Sequence, residues 1–287
     1  DARQAPPNHE HFDLYAMGPE TDSPFKPGEH IPGLNVGGWY DAGDFDLRTQ
    51  THYAVVGSLV QTWERFRPTR DETTVDQKKR RVELHRPDGV PDLLQQIEHG
   101  TLFLIAQHRV FGHAIPGVVE PDLGQYTHLG DAVTKTDNLV HDPSDPDSPA
   151  DDRWAFTTAT TALNYGSAAA LAAASRALRG YNDELADECL GTAKRVWDFE
   201  SKRKPNLYSF GNTTGGHPKD EELDAAVELL ITTGEGQYAK RGAALGRLRP
   251  RGMARRGPRR ERREAALPAR SAYRLPAGGD RRGARLR

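Results

Sequence analysis

The run GGWYDAGDFD at residues 37–46 brings together the residue types that sugar-cleaving chemistry needs. Asp41 and Asp44 lie three residues apart, and the aromatic pair Trp39 and Tyr40 comes directly before them. Aromatic rings offer flat apolar faces to a sugar, while carboxylates handle protons and water. The small residues between the two acids would let a ligand approach the backbone closely. The run therefore predicts a site that hydrolyses glycosidic bonds.

The spacing of the two carboxylates indicates which part of that chemistry they perform. Inverting hydrolysis needs an acid and a base about 6.5–9.5 Å apart, on opposite sides of the scissile bond. If the segment turns helically, the Cβ atoms of Asp41 and Asp44 would be only about 5–6 Å apart. They would then hold one water on one side of the bond. The structural alternative is that Asp44 caps the following helix and Asp46 favours its positive end.

Several segments resemble glycoside hydrolase family nine, the inverting cellulases built on an (α/α)6 barrel. The run GGWYDAGD resembles the signature of that family, and the resemblance extends from about Gly37 to Tyr238. The other matching segments are PDLL and EHG within 91–100, QYTHLGD at 125–131, DDRWAF at 151–156, the Ala-rich stretch ending at 175, and LDAAVELL at 223–230.

This resemblance implies hydrolysis of β-1,4-glucosidic bonds in cellulose or related β-glucans with inversion of configuration. It implies that Asp44 is the general base and that Asp41 helps to fix the nucleophilic water. The family's general acid is a Glu in an Asn-Glu context, preceded by a His-Arg sugar-binding motif. Neither motif follows Tyr238, and Glu261 and Glu264 lie in Arg-rich surroundings that do not match. A non-catalytic carbohydrate-binding relic is therefore the alternative.

Other residues are candidates for contact with the substrate. Trp39 and Tyr40 could line the floor of the site or be buried beneath the motif. A loop-to-helix junction could let Trp154 stack on a sugar ring while a neighbouring polar group binds hydroxyls; the alternative is a core Trp beside a capping Asp. The full set of substrate-binding candidates is Trp39, Tyr40, Tyr126, His128, Asp152, Arg153 and Trp154.

The sequence predicts no catalytic metal and no cofactor. The acidic run from Asp142 to Asp152 lacks the Gly and Glu of an EF-hand loop, and three prolines interrupt it. The eleven His show no HExxH spacing, and the single Cys189 excludes both a thiolate cluster and an internal disulfide. The family resemblance allows a structural calcium ion.

Helical periodicity dominates the chain and predicts an all-α fold. Five or six helices are expected, about half of the twelve in an (α/α)6 barrel, and those facing the rest of a barrel should expose apolar stripes. The long Ala-rich helix is predicted from Trp154 to Leu178, with an interruption at Gly166. The other predicted apolar faces are Tyr53, Val56, Val60 and Trp63; Leu93, Leu94, Ile97, Leu104, Ile105 and His108; Leu185, Ala186, Cys189, Leu190, Ala193, Val196 and Trp197; and Leu223, Ala226, Val227, Leu230 and Ile231, with a stop at Gly234.

Three parts are expected along the chain: a lead-in at 1–36, part of a catalytic domain at 37–238, and an irregular or disordered tail at 239–287. The formal net charge of −2 is a cancellation, because 1–238 carries −16 and 239–287 carries +14. Sixteen of the seventeen basic residues in the tail are Arg, and the rest is mostly Gly, Ala, Pro and Leu. This GC-rich codon composition predicts a reading frame that ends near Tyr238 or Ala239. An authentic disordered extension and a polybasic nucleic-acid arm are the alternatives.

The remaining expectations concern partners and location. A β-glucan or cello-oligosaccharide is the expected partner, with no nucleic acid and no membrane, and a monomer is expected for a complete domain. The sequence contains no stretch of the roughly 18–20 apolar residues that a membrane span needs. The family resemblance implies secretion or a periplasmic location, although no signal peptide is visible in this sequence.

Overall fold

The computed structural model describes residues 2–11, 13–40, 46–79, 81–121 and 139–247. Helices dominate this part of the chain, as the periodicity predicts. The helices are α1 (Thr49–Phe66), α2 (Asp92–Phe111), α3 (Thr161–Leu178), α4 (Asp183–Glu200), α5 (Pro218–Thr233) and α6 (Gly236–Arg247). The strands are β1 (Ala2–Gln4), β2 (Leu47–Arg48), β3 (Thr73–Asp76), β4 (Arg81–Leu84), β5 (Gly117–Val119) and β6 (Arg153–Phe156).

Helix α3 is the centre of the helical core. Every residue of this Ala-rich helix except Arg176 is buried, which is the pattern of a helix surrounded by others. It packs against α1, α2, α4 and α5. Arg176 remains within reach of solvent and pairs with Glu64 at 2.7 Å and Glu228 at 2.7 Å, so its charge is matched by neighbours on α1 and α5.

The helices form two layers. Along the chain, α1, α3 and α5 contact one another in that order, and each also packs against the helix that follows it. An open groove of about 430 Å³ runs along α1, α3 and α5, with a floor of small residues that includes Gly166 and Ala170. On α5, Val227 is 41% exposed and Ile231 is 58% exposed. These two residues lie one helical turn apart on α5, and the expectation that helices facing the rest of a barrel expose apolar stripes stays a prediction.

A small sheet joins the start of the chain to the helices, a feature that the weak strand signal did not predict. Its strand order is β1-β6-β5-β2, with β1 parallel to β6 and the other two pairings antiparallel. Strand β2 begins directly after Asp46 and leads into α1. The sheet therefore connects the end of the GGWYDAGDFD run to the first helix.

The predicted helix from Trp154 to Leu178 is wrong at its start. Residues 153–156 form β6, which lies between β1 and β5, and α3 begins only at Thr161. The side chain of Thr160 caps α3 by accepting a hydrogen bond from the Leu163 N–H at 3.1 Å. A run of four residues from Thr157, three of them β-branched Thr, separates strand from helix and favours extended backbone.

The predicted interruption at Gly166 is also wrong, because α3 continues through it. Gly166 instead provides room for α1. A Cβ at this position would lie 2.5 Å from Tyr53 Cζ and 2.9 Å from Glu221 Oε2. The absent side chain therefore sets the distance between α1 and α3 beside the Tyr53–Glu221 hydrogen bond of 2.6 Å.

We expect Gly166→Ala to lower the free energy of unfolding by about 1–3 kcal/mol, because the added methyl group overpacks the α1–α3 contact. The matched control is Gly57→Ala on α1, where a Cβ would meet nothing within 4 Å. That substitution should stabilise the helix by about 0.5–1 kcal/mol. Urea denaturation of both variants measures the difference, and equal effects at the two positions would contradict the close-packing role of Gly166.

The end of α6 bears on the predicted domain limits. Helix α6 runs from Gly236 to Arg247, so the predicted boundary between residues 238 and 239 falls inside a helix. Gly234 does end α5, with φ of +71°, as predicted. Residues 248–287 lie outside the described part of the chain, and the out-of-frame origin of 239–287 stays a prediction.

Candidate functional site

Gly37 and Gly38 dock the motif onto α2. Both glycines have positive φ, at +65° and +83°, a backbone conformation that side chains disfavour. The Gly38 N–H donates to the His99 carbonyl at 2.9 Å, and His99 Nε2 donates to the Gly38 carbonyl at 2.7 Å. Two motifs that lie about 60 residues apart in the sequence, GGWY and EHG, are thus one packed unit.

Trp39 fills a slot on α2 that Gly100 leaves open. A Cβ at Gly100 would overlap the ring of Trp39. The indole Nε1 donates to Gln96 Oε1 at 3.0 Å, and the ring stacks on His52 with centroids 5.7 Å apart and an interplanar angle of 16°. Trp39 is only partly buried, so its position is fixed while one part of it reaches the surface.

His52 holds the same segment from α1. Its Nδ1 lies 2.6 Å from the Arg48 carbonyl, and its Nε2 lies 2.8 Å from the Trp39 N–H. Since a carbonyl only accepts and an N–H only donates, this geometry requires the neutral tautomer with hydrogen on Nδ1. Burial lowers the pKa of His52 to about 4, which keeps the ring neutral at physiological pH.

This geometry predicts acid lability. Burial also lowers the pKa of His108, to about 3. The unfolded chain takes up protons on these rings below its ordinary histidine pKa of about 6.5, whereas the folded chain does not. The free energy of unfolding should therefore have its full value above pH 6.5. It should decrease between pH 6.5 and pH 4, by up to about 1.4 kcal/mol per pH unit for each histidine.

Urea midpoints at pH 7.5 and pH 5 measure this loss. His52→Gln should reduce the pH dependence, because one buried titrating ring is gone. The matched control is His217→Gln at the exposed start of α5, which should keep the full pH dependence. A wild-type midpoint that does not change between the two pH values would contradict the neutral-histidine assignment.

A cavity of about 650 Å³ opens beside the motif. Residues 37–40 form one wall, the β3–β4 hairpin a second, and α2 a third through Gln96 and His99. Tyr40 is 46% exposed at this wall. The cavity has the size of a small-ligand site, and its described lining combines the aromatic rings of Trp39 and Tyr40 with amide groups and with charged side chains such as Lys78 and Arg81.

A cluster of buried charges lies beneath Tyr40. Arg153 is fully buried, and its guanidinium carbon lies 4.9 Å from the centre of the Tyr40 ring. Burial lowers the pKa of Arg153, while Tyr40, Asp46, Glu120 and Asp151 act in the opposite direction. The buried carboxylates therefore balance the charge of the guanidinium.

The other members of the cluster come from separate elements. Asp46 Oδ1 accepts from the Glu120 N–H at 3.3 Å, so the residue before β2 is tied to the residue after β5. His11 Nε2 lies 3.8 Å from Glu120 Oε1, with both side chains fully buried. The cluster thus joins the lead-in, the sheet and the end of the motif.

Trp154 follows Arg153 on β6 and Asp152 directly precedes that strand, and the described lining of the cavity includes neither. Asp152 is 4% exposed and accepts from the His141 N–H at 3.0 Å. Trp154 donates from Nε1 to the Pro121 carbonyl at 2.7 Å, and the Arg3 guanidinium covers its ring at 3.9 Å. Of the candidates, Trp39 and Tyr40 line the cavity, and Arg153, which is not among its described lining residues, contacts the ring of Tyr40.

Four candidates, Asp41, Asp44, Tyr126 and His128, lie outside the described residues. Within the described ranges, no group of three or more His, Cys, Asp or Glu side chains is arranged to hold a metal ion. None of the described helices has the length and apolarity that crossing a bilayer requires.

Sequence reasoning missed several residues that position the motif. His99 and Gly100 belong to the matching EHG segment, which was a signal for their importance but not for their contact with GGWY. His52 and Glu120 had no distinguishing spacing, because their roles depend on contacts between distant elements. Asp46 was considered only as a charge at the start of the following helix, whereas it accepts a hydrogen bond from the Glu120 N–H.

Comparison with known proteins supports the family resemblance that the sequence motifs indicated. The model of a family described as "Glycosyl hydrolase family 9" matches residues 22–248. Endoglucanase D of Acetivibrio thermocellus is 22% identical over 219 residues, which cover 74% of this chain and 32% of that protein. Endoglucanase C of Cellulomonas fimi is 29% identical over 216 residues, covering 71% of this chain and 18% of that protein. The chain thus spans a third or less of the length of these relatives.

Solved structures agree on the fold. The crystal structure of a metagenome-derived glycoside hydrolase family 9 endoglucanase superposes with a TM-score of 0.57 at 23% identity. The superposition covers 81% of this chain and 40% of that one. The predicted fold class, part of an (α/α)6 barrel with about half of its helices, is confirmed.

Proposed function

Since a family model matches residues 22–248, the chain belongs to glycosyl hydrolase family 9, and we propose that it carries the water-activating side of a site that hydrolyses β-1,4-glucosidic bonds with inversion. The proposed substrate is cellulose or a related β-glucan. The observation that supports this most directly is the 650 Å³ cavity walled by Trp39 and Tyr40, the residues that directly precede Asp41.

In this proposal Asp44 is the general base and Asp41 helps to orient the attacking water. A carboxylate base removes a proton from water as the oxygen attacks the anomeric carbon, and a second carboxylate fixes the other hydrogen of that water. The rigid docking of residues 37–39 on α2 supports the assignment, because catalytic groups need a support that holds them to within about 0.5 Å.

Sugar contacts are proposed on the aromatic wall. The exposed face of Tyr40 and the partly buried Trp39 could stack on glucose rings, as in other aromatic sugar platforms. Contacts from Tyr126, His128 and Trp154 remain part of the proposal. Arg153 is fully buried and Asp152 is 4% exposed, so we assign neither of them a direct sugar contact.

No residue of this chain is assigned as the general acid, since the 287 residues contain no Asn-Glu dipeptide. That observation favours a second candidate function, a carbohydrate-binding protein without turnover. We further propose secretion and a monomeric state for the complete domain. We also propose that the reaction uses neither a metal nor a cofactor. A structural calcium ion, which the family resemblance allows, is likewise a proposal.

Two measurements on the chain test the function. Titration calorimetry with cellotetraose, with the α-linked maltotetraose as matched control, measures recognition of the β-1,4 linkage. Release of reducing sugar from carboxymethyl cellulose measures hydrolysis. Selective binding of cellotetraose with release of sugar supports the enzyme, and selective binding without release supports the binding protein. Equal or absent binding of both tetrasaccharides would overturn the proposed substrate.

A further inference from the structure

Helix α2 holds the β3–β4 hairpin, the second wall of the cavity, at two points. At the base of the hairpin, Asp92 Oδ1 accepts from the Thr73 N–H at 2.9 Å. At its turn, Gln77 Nε2 donates to His99 Nδ1 at 3.3 Å. His99 accepts there because its hydrogen is on Nε2, which donates to the Gly38 carbonyl. The hairpin is therefore tied to the same helix that docks the GGWY run.

The spacing of the two anchors matches the dimensions of helix and strand. Asp92 and His99 are two helical turns apart, so they lie on one face of α2, separated by about 10 Å along its axis. Strand β3 has four residues and spans about 13 Å. The strand thus lies along α2, which it contacts, and its turn reaches the cavity beside His99.

The turn of the hairpin is closed around Asp76. Its Oδ1 accepts from the Lys79 N–H at 3.0 Å, and its Oδ2 pairs with Lys79 Nζ at 3.0 Å. The described lining of the cavity includes Lys78 but not Lys79. Two adjacent lysines of one turn thus have different surroundings, since one neutralises a carboxylate and the other borders the cavity.

Positive charge predominates in the described lining of the cavity. The residues there with an ordinarily charged side chain are Asp76, Lys78, Arg81 and Arg109. Arg81 pairs with Glu83 at 2.7 Å, and Arg109 pairs with Glu188 at 2.5 Å. Within the described ranges, Lys78 is the charged lining residue whose side chain forms no ion pair. Its ammonium group is therefore available to a ligand in the cavity.

We propose that Lys78 is a specificity-determining residue that binds an acidic group on the glycan, so that the site accepts β-1,4-glucans whose sugar units carry carboxylates, as glucuronic acid does. The inference rests on the glycan site proposed above and adds the charge of its substrate. An ammonium group has three donors and forms charge-assisted hydrogen bonds with a carboxylate. In this arrangement the aromatic wall stacks on a sugar ring while Lys78 binds the carboxylate at C6.

Titration calorimetry of the full chain with two tetramers tests this assignment. The ligands are cellotetraose and the β-1,4-linked tetramer of glucuronic acid, which carries a carboxylate at C6 of every unit. Lys78→Gln should weaken binding of the glucuronic acid tetramer by about 3–5-fold, as for an exposed ion pair, and leave the affinity for cellotetraose within about 2-fold. The loss should disappear in about 0.5 M NaCl, because salt screens exposed charges.

The matched control is Lys79→Gln, which removes the same charge from the adjacent position of the same turn. Because Lys79 pairs with Asp76 and is not part of the described lining, this variant should keep the affinity for both tetramers. Both lysines are exposed, so neither variant should change the urea midpoint. Equal losses of glucuronic acid affinity in the two variants would overturn the assignment, as would equal losses for both tetramers in Lys78→Gln.

The two ligands separate this inference from the proposed function. Binding of cellotetraose without binding of the glucuronic acid tetramer overturns the inference and leaves the function. Binding of the glucuronic acid tetramer alone, weakened by Lys78→Gln, supports the inference and overturns neutral glucan as the substrate. Absence of binding of both tetramers overturns both. Any repulsion of carboxylates by Asp41 and Asp44 is common to all variants and cancels in the comparison.

Discussion

Replacing Asp44 with asparagine is expected to abolish measurable sugar release while leaving oligosaccharide binding largely intact. Asparagine keeps the shape of the side chain and removes the lone-pair basicity that a general base uses. Removal of a positioned base typically lowers the rate by about 10²–10⁴-fold. Binding should persist, because the aromatic wall at Trp39 and Tyr40 is unchanged.

The experiment uses a catalytically active polypeptide that contains this sequence. It compares reducing-sugar release and cellotetraose affinity in that polypeptide and in its Asp44→Asn variant. The matched control is Asp198→Asn on the exposed face of α4, which removes the same charge away from the motif and should keep both properties. A near-normal rate in Asp44→Asn would show that another group is the base. A parallel loss of affinity would indicate that Asp44 shapes the site rather than activating water.

Gly37→Ala is expected to cause a large loss of stability, because the added methyl group meets both an unfavourable backbone conformation and a packed helix. Gly37 has φ of +65°, a conformation that costs an alanine about 1–2 kcal/mol. Its new Cβ would also overlap the His99 carbonyl and approach Leu102 Cβ at 2.8 Å. Overpacking against a helix backbone adds about 1–3 kcal/mol, so the free energy of unfolding should fall by about 3 kcal/mol.

Gly33→Ala separates the two contributions. Gly33 has a similar φ of +78°, but a Cβ there would meet nothing within 4 Å. Its cost should be limited to the backbone preference, about 1–2 kcal/mol. Urea denaturation measures both variants, and a Gly37→Ala effect no larger than that of Gly33→Ala would contradict the docking of the motif on α2.

Helices were the part of the fold that the sequence could predict. The face predicted on α4 follows apolar spacing closely, because that helix buries one stripe. On α1 the predicted Val56 and Val60 are buried, and on α2 the whole run 103–108 is buried, so the predicted apolar residues are only part of its packed surface. On α5 the buried residues are Glu222, Ala225, Ala226 and Leu229, whereas the predicted stripe included Val227 and Ile231. Small and even acidic residues lie on the packed side of α5, so apolarity alone was a poor guide to which face of that helix is buried.

Strand β6 shows a different limit of sequence reasoning. Arg153–Phe156 lies four residues before an Ala-rich helix and carries no alternation of its own, so local pattern favoured one long helix. Its extended form depends on pairing with β1, far away in the sequence. Gly166 was misread for a related reason, since its role depends on Tyr53 of another helix.

The candidate site, like the fold, could be predicted from the sequence only in part. Residue types and spacing pointed to Asp41 and Asp44, and the aromatic pair before them does border a cavity. The parts that hold the motif, among them His52, His99 and Arg153, come from α1, α2 and β6. Their roles follow from tertiary contacts, and a single sequence contains no direct record of those contacts.

The parallel pairing of β1 with β6 has a consequence for the order of folding during synthesis. Ala2 lies opposite Arg153, so the partner of β1 is translated about 150 residues later. At about 5–20 residues per second, β1 waits on the order of 10–30 s for the strand that completes it. Helices α1 and α2 can pack meanwhile, so the sheet that anchors the motif closes after these two helices have formed and before α3 to α6 are complete on the ribosome.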